Sequence, residues 1–165
     1  MSETRRRRNP RLDHYDYTAP GHYFVTVCAK NRAEVFGQVV GADALIGPTV
    51  RLSSLGEIVK RYLLRMPGID QFVIMPNHVH FIVAIPSGPM RASAPTGGLP
   101  SLVRSWKALV TKEYGAPVWQ RGYYDHILRD EEDWLRIRNY MEQNPARWAE
   151  DEYFCTAERR RPFHG

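Results

Sequence analysis

Two histidines one residue apart, His78 and His80, interrupt the apolar run FVIMPNHVHFIVAI at residues 72–85. Side chains alternate faces along a strand, so the two imidazoles point the same way while Val79 and Phe81 point the other. Two neighbouring imidazole nitrogens can bind one metal ion. Strand histidines can equally be satisfied by backbone carbonyls, and no third His or Cys stands at a zinc spacing. A second group lies in RIRNYMEQNPARW, residues 136–148. Tyr140 and Asn144 are four apart and share one helix face, which also carries Arg136. A phenol beside an amide and a guanidinium points to chemistry. A tyrosine at the edge of an apolar stripe would need no such explanation.

These residues need elements to carry them. GHYFVTVCAK, residues 21–30, follows Pro20-Gly21 and is rich in β-branched and aromatic residues, which predicts a strand. Gly37, Gly41 and Gly47 between short apolar pieces predict loops or a small hairpin after it. Ser53 or Ser54 can cap a helix beginning near Leu55, with Ile58, Val59, Tyr62 and Leu63 at helical spacing and Met66-Pro67-Gly68 ending it. QFVIM and HVHFIVAI form an antiparallel hairpin around Pro76-Asn77. Residues 86–100 hold four prolines and three glycines in fifteen positions and read as a flexible connector.

Ser101 can then cap a helix through Tyr114, with Leu102, Trp106, Leu109 and Val110 as its stripe. VWQRGYYDHIL, residues 118–128, reads as a further strand. Asp130, Glu131, Glu132 and Asp133 fill the first turn of a last helix, where negative charge suits the dipole. Trp134, Ile137 and Met141 are its core stripe. It should end at Asn144, because Pro145 disfavours helical dihedrals in the residue before it. The order matches an α+β fold: a ferredoxin- or RRM-like split βαβ antiparallel sheet. Helices cover one face, the histidines lie on the open face, and an extra C-terminal helix bears the tyrosine.

The chain has 165 residues, enough for one domain with a real core. That domain is expected at 21–150, between a basic arm at 1–20 and a tail at 151–165. No apolar run approaches the ~20 residues of a membrane span. No apolar segment follows the N-terminal arginines, as a secretory signal would require. Cys28 and Cys155 make no metal or redox spacing, and a reduced cytoplasmic protein is the simplest reading. Net charge is +5, and Arg5, Arg6, Arg7, Arg8 and Arg11 against Glu3 place +4 of it in residues 1–11. Such a block is either a mobile arm for a polyanion or a solubilising tail. Arg104, Lys107 and Lys112 add positive charge on the second helix.

MPNHVHFIV resembles the HUH motif, and RNYMEQNP resembles the catalytic-tyrosine helix of the same superfamily. TVCAKNR, WQRGYYDHILRDEEDW and NPARW also fit the REP-associated tyrosine transposases, relatives of the small single-tyrosine insertion-sequence transposases. The resemblance runs from about Tyr23 to Trp148. It implies that His78 and His80 bind a divalent ion, Mg²⁺ or Mn²⁺. Asn144 stands where the insertion-sequence relatives place a third ligand, which in them is Gln. The resemblance also implies that Tyr140 attacks DNA to leave a 5′-phosphotyrosine link and a free 3′-OH. Tyr123 and Tyr124 are rival nucleophiles without a partner four residues on. His126, in DHILR, either lines the site or is structural.

The implied substrate is single-stranded DNA with a hairpin, such as a repetitive extragenic palindrome, in the bacterial cytoplasm at the nucleoid. The Arg5–Arg8 arm and Lys107 are the expected phosphate contacts, and Trp119, Tyr123 and Tyr124 can stack on unpaired bases. Trp106 is assigned to packing. The implied protein is a monomer or homodimer. A non-catalytic RRM-like nucleic-acid binder and a water-using metal hydrolase remain the competing readings. The first lacks the RNP pattern of stacking aromatics on its central strands.

Overall fold

Alternation along the first strand sets the layering. In β1 (Gly21–Cys28), Tyr23, Val25 and Val27 face one side of the sheet, and Phe24 and Thr26 face the other. The structure, a computed structural model, describes residues 19–41, 47–86 and 97–150. Arg5, Arg6, Arg7 and Arg8, the tail, and most of the connector lie outside the described residues. After β1 the chain forms a separate hairpin of β2 (Gly37–Val40) and β3 (Thr49–Leu52). Helix α1 (Ser54–Leu64) follows, capped by Ser53, whose Oγ accepts from Gly56 N at 3.1 Å. Gly56 is needed there, because a Cβ would lie 2.1 Å from Phe36 O.

Strands β4 (Ile69–Ile74) and β5 (His78–Ile85) make the expected hairpin around Pro76-Asn77. Helix α2 (Gly98–Tyr114), strand β6 (Tyr124–Leu128) and helix α3 (Glu131–Gln143) complete the fold. The main sheet has the order β4-β5-β1-β6, with every pairing antiparallel. Mixed α/β structure with peripheral helices around an antiparallel sheet is thus the architecture. Among the described residues no helix is long and apolar enough to cross a membrane.

One face of the sheet carries the larger core. Leu55, Val59 and Leu63 of α1 and Leu102, Trp106 and Val110 of α2 pack on Val25, Val79, Phe81 and Val83. Burying each such large side chain contributes about 1.5–3 kcal/mol. The opposite face is not open, contrary to the sequence reading. Ile137 and Met141 of α3 pack there against Phe24 and Ile82, with Val73 and Leu128 at the margin. The apolar stripe of α3 needed a partner, and Phe24 and Ile82 on the two central strands supply it. His78 and His80 are consequently buried, at 0% and 1% exposure.

Other boundaries differ for local reasons. Helix α2 starts at Gly98 with Gly97 as its cap, so Ser101 lies inside the helix. Its buried stripe is Leu99, Leu102, Val103, Trp106 and Val110, and Leu109 faces solvent. Regular pairing in the last strand begins only at Tyr124, because Gly122 takes a positive φ of 79°. Upstream, Trp119 makes a lone bridge with Ala29. Helix α3 is capped by Asp130, whose Oδ1 accepts from Asp133 N at 2.8 Å. It ends at Gln143, yet Asn144 keeps helical dihedrals despite the proline after it. Trp134 is half-buried, under the Arg138 guanidinium.

Candidate active site

The histidines sit at the start of β5, next to β1. His80 lies opposite Thr26, and His78 opposite Cys28. The Asn77 amide has a fixed orientation, because its Nδ2 donates to Arg32 O at 3.3 Å. Its Oδ1 then faces His78 Nδ1 at 2.8 Å, so Nδ1 carries the proton. His78 Nε2 is therefore a lone pair. His80 Nε2 lies 3.0 Å from it, and His80 Nδ1 lies 2.7 Å from Thr26 Oγ1. If Thr26 donates, His80 Nε2 keeps a proton and gives it to His78. If Thr26 accepts, two lone pairs converge on one point, an arrangement that calls for a cation.

Burial keeps both rings neutral. It lowers the His78 pKa to about 3, opposed by the Asn144 amide and assisted by the Arg32 charge. Burial likewise drives His80 well below the usual imidazole range, helped by the neighbouring His78 and opposed by Asn144. Neutral imidazole is the form that ligates metals.

Helix α3 brings its C-terminal turn to this pair. The Tyr140 hydroxyl lies 3.5 Å from His80 Nε2, although the two residues are 60 apart in sequence. The Tyr140 ring also meets Phe24 edge-on, with centroids 6.2 Å apart. Tyr140 remains 41% exposed, so one side of the phenol opens to solvent. Asn144 is buried at 3% exposure, and its Nδ2 donates to Tyr140 O at 2.8 Å. That bond turns its Oδ1 inward, where it is buried without a hydrogen bond. Trp148 covers the far side, with its ring 6.0 Å from that of His78.

This donor set fits a divalent cation. The 3.0 Å between the two Nε2 atoms matches adjacent corners of an octahedron with bonds of about 2.1 Å. The buried Asn144 Oδ1, which makes no hydrogen bond, would supply a hard oxygen donor. Asn77 and Thr26 hold the outer nitrogens, as partners of metal-bound histidines do. Among the described residues no group of three or more His, Cys, Asp or Glu could hold a metal ion. A third donor beside the two imidazoles would therefore have to be another group, and the Asn144 amide oxygen is buried without a hydrogen bond.

Two other expected site residues are engaged elsewhere. His126 Nε2 meets Asp133 Oδ2 at 2.8 Å, and Asp133 also binds Arg136. His126 thus ties β6 to the first turn of α3. Asp133→Asn is expected to lower Tm by about 2–4 °C, roughly 1 kcal/mol, with α3 amides exchanging faster. An unchanged Tm and exchange pattern would deny His126 that role. The Lys107 ammonium donates to Gln120 O at 3.0 Å and Gly122 O at 3.1 Å. Burial lowers its pKa, with Cys28 opposing. Lys107 therefore staples the loop before β6 with two of its three N–H donors.

Thr26, Asn77, Phe24 and Trp148 were not singled out in the sequence. Thr26 had a visible signal: it is the polar residue on the Phe24 side of an apolar strand. Asn77 read as a turn residue because its hydrogen bond to His78 depends on the hairpin closing.

No protein-family model matches the chain. An uncharacterized protein of Haemophilus influenzae is 35% identical over 175 aligned positions, covering 90% of this chain and 93% of that protein. The two belong to one family. A second Haemophilus influenzae protein, named "Putative REP-associated tyrosine transposase", is 21% identical over 80% of this chain and 74% of its own length. A solved structure of a REP-associated tyrosine transposase bound to a REP hairpin superposes with a TM-score of 0.60 at 20% identity, covering 92% of this chain and 77% of that one. The chain thus shares the fold of that REP-associated tyrosine transposase and is weakly similar in sequence to a second protein given that name.

Proposed function

We propose that the protein cleaves and rejoins single-stranded DNA through a 5′-phosphotyrosine intermediate, at or beside palindromic hairpins. The observation that carries this reading is the Tyr140 hydroxyl 3.5 Å from His80 Nε2, on the helix that also delivers Asn144. His78 Nε2, His80 Nε2 and Asn144 Oδ1 would hold Mg²⁺ or Mn²⁺, which when bound supplies positive charge against the scissile phosphate.

The chain's own residues provide the nucleophile and its placement. A phenol has a pKa of ~10 and is mostly protonated at neutral pH. Tyr140 loses its proton on its solvent-exposed side as its oxygen attacks phosphorus. The P–O3′ bond breaks, and the 3′ oxygen takes up a proton to become a free hydroxyl. The phosphodiester is exchanged for a phosphotyrosine ester of similar energy, so attack by another 3′-OH reverses the step without a nucleotide cofactor. Phe24 and Asn144 fix the tyrosine from its ring and its backbone. The Arg5–Arg8 arm is proposed to neutralise phosphates beyond the site. One chain holds all four residues, which favours a monomer. The solved relative's bound hairpin suggests the substrate class.

The test is incubation with labelled hairpin-flanked single strands and Mn²⁺, followed by a denaturing gel. A covalent protein–DNA band supports the reading. Cleavage without that band would favour a water-using hydrolase, and binding without cleavage would favour a binding module. The outer contacts give a separate check. Thr26→Val preserves shape but removes the partner of His80 Nδ1, and Mn²⁺ affinity should fall about 10–100-fold in titration calorimetry. Full affinity in the variant would remove Thr26 from the site.

A further inference from the structure

Three aromatic residues lie in the segment that leads into β6, and the fold separates their roles. Trp119 is fixed in the core: its Nε1 donates to Lys107 O at 3.1 Å, and its ring lies 5.2 Å from Phe36 and 4.7 Å from Trp106. Tyr123 packs against the α1–α2 core on the far side of the sheet. Tyr124 belongs to neither apolar cluster and is 45% exposed. Strand alternation puts it on the face of Thr26 and His80.

The register makes that placement specific. Tyr124 pairs with Thr26, and Thr26 pairs with His80, so the three form one row across β6, β1 and β5. Adjacent strands are about 4.8 Å apart, which puts the Tyr124 and His80 backbones about 10 Å apart. That is within the span of one or two nucleotides of an extended single strand. Tyr140 stands over the same face, above Phe24. Among the described residues strand β6 is the sheet edge, and no strand flanks Tyr124 on its outer side. Arg121 and Arg129, both exposed, bracket the strand with positive charge for a phosphate backbone. Strand propensity alone accounts for a tyrosine in β6. It does not account for an exposed ring in line with Thr26 and His80.

We infer that Tyr124 is a stacking platform for the unpaired base that flanks the phosphate at Tyr140. This rests on the single-strand cleavage reading above. A ring of this kind holds a base without reading its identity, because every base has a π-face. Its contribution is to align the strand, so that one phosphate is presented to the nucleophile.

The experiment uses the full chain carrying Tyr140→Phe, so that no covalent product forms. Hairpin oligonucleotides carry a single 2-aminopurine scanned along the single-stranded flank. Tyr124→Phe keeps the ring and should bind within about twofold of the parent. Tyr124→Leu keeps an apolar side chain suited to a strand but loses stacking, and should bind about 5- to 100-fold more weakly. Quenching of 2-aminopurine at one flank position should be retained in Tyr124→Phe and lost in Tyr124→Leu, with thermal melts confirming that both fold. Parent-like affinity and quenching in Tyr124→Leu would overturn the platform while leaving the cleavage reading standing. A parent protein that binds none of the single strands would overturn both.

Discussion

Tyr140→Phe should eliminate the covalent protein–DNA band and reduce strand cleavage at least about 10³-fold, on the scale of losses seen when a nucleophile is removed. The substitution takes away one oxygen and leaves the ring against Phe24 and His80, where the centroid distances are 6.2 and 5.3 Å. The fold and the histidine pair should be untouched, since the ring that packs on Phe24 and His80 is retained. Metal affinity and single-strand binding should therefore stay near wild type. That combination distinguishes a nucleophile from a packing tyrosine. Loss of metal binding together with cleavage would mean that the ring is structural. Full adduct formation in the variant would assign the attack to another residue, with exposed Tyr124 the first to examine.

The second large effect concerns the histidines. Saturating Mn²⁺ should raise the wild-type Tm by about 5–10 °C, since ligand at 100 times Kd adds about 2.7 kcal/mol. His80→Ala should abolish the rise, because it removes one of the two converging Nε2 atoms. Asn144→Ala should leave a smaller rise, because an amide oxygen contributes less than an imidazole. A scan of Tm against Mn²⁺ concentration for the three proteins measures this without any DNA. An equal rise in His80→Ala and wild type would place the cation elsewhere.

The strands and helices were legible because they rest on local pattern. The period-two alternation of HVHFIVAI separates the histidines from Val79 and Phe81, as the β5 register does. The spacing of Tyr140 and Asn144 was equally local, and α3 delivers both to the histidines. What could not be read was which sheet face α3 would cover. Its stripe of Ile137 and Met141 demands a partner, but Phe24 and Ile82 became that partner only once β1 and β5 were paired. The loop contacts of Lys107 were hidden for a similar reason. Its use by Gln120 O and Gly122 O depends on a loop that returns to α2 from a distance in sequence. The assignment of Asn77 Oδ1 to His78 likewise required Arg32 O to fix the amide.

The division of the site between a central strand and a peripheral helix has a thermodynamic consequence. His78, His80 and Thr26 belong to the two inner strands, whose amides are expected to open only with the whole sheet. Tyr140 and Asn144 ride on a helix secured by a small apolar cluster and the His126–Asp133 contact. Detaching that helix should cost less than unfolding the domain, so Tyr140 would come away while the histidines stay in place. A ligand that grips both halves acts as a clasp, and its binding energy appears as resistance of α3 to opening. Substrate and cation would then do more than take part in the reaction. They would determine how often the molecule is assembled to perform it.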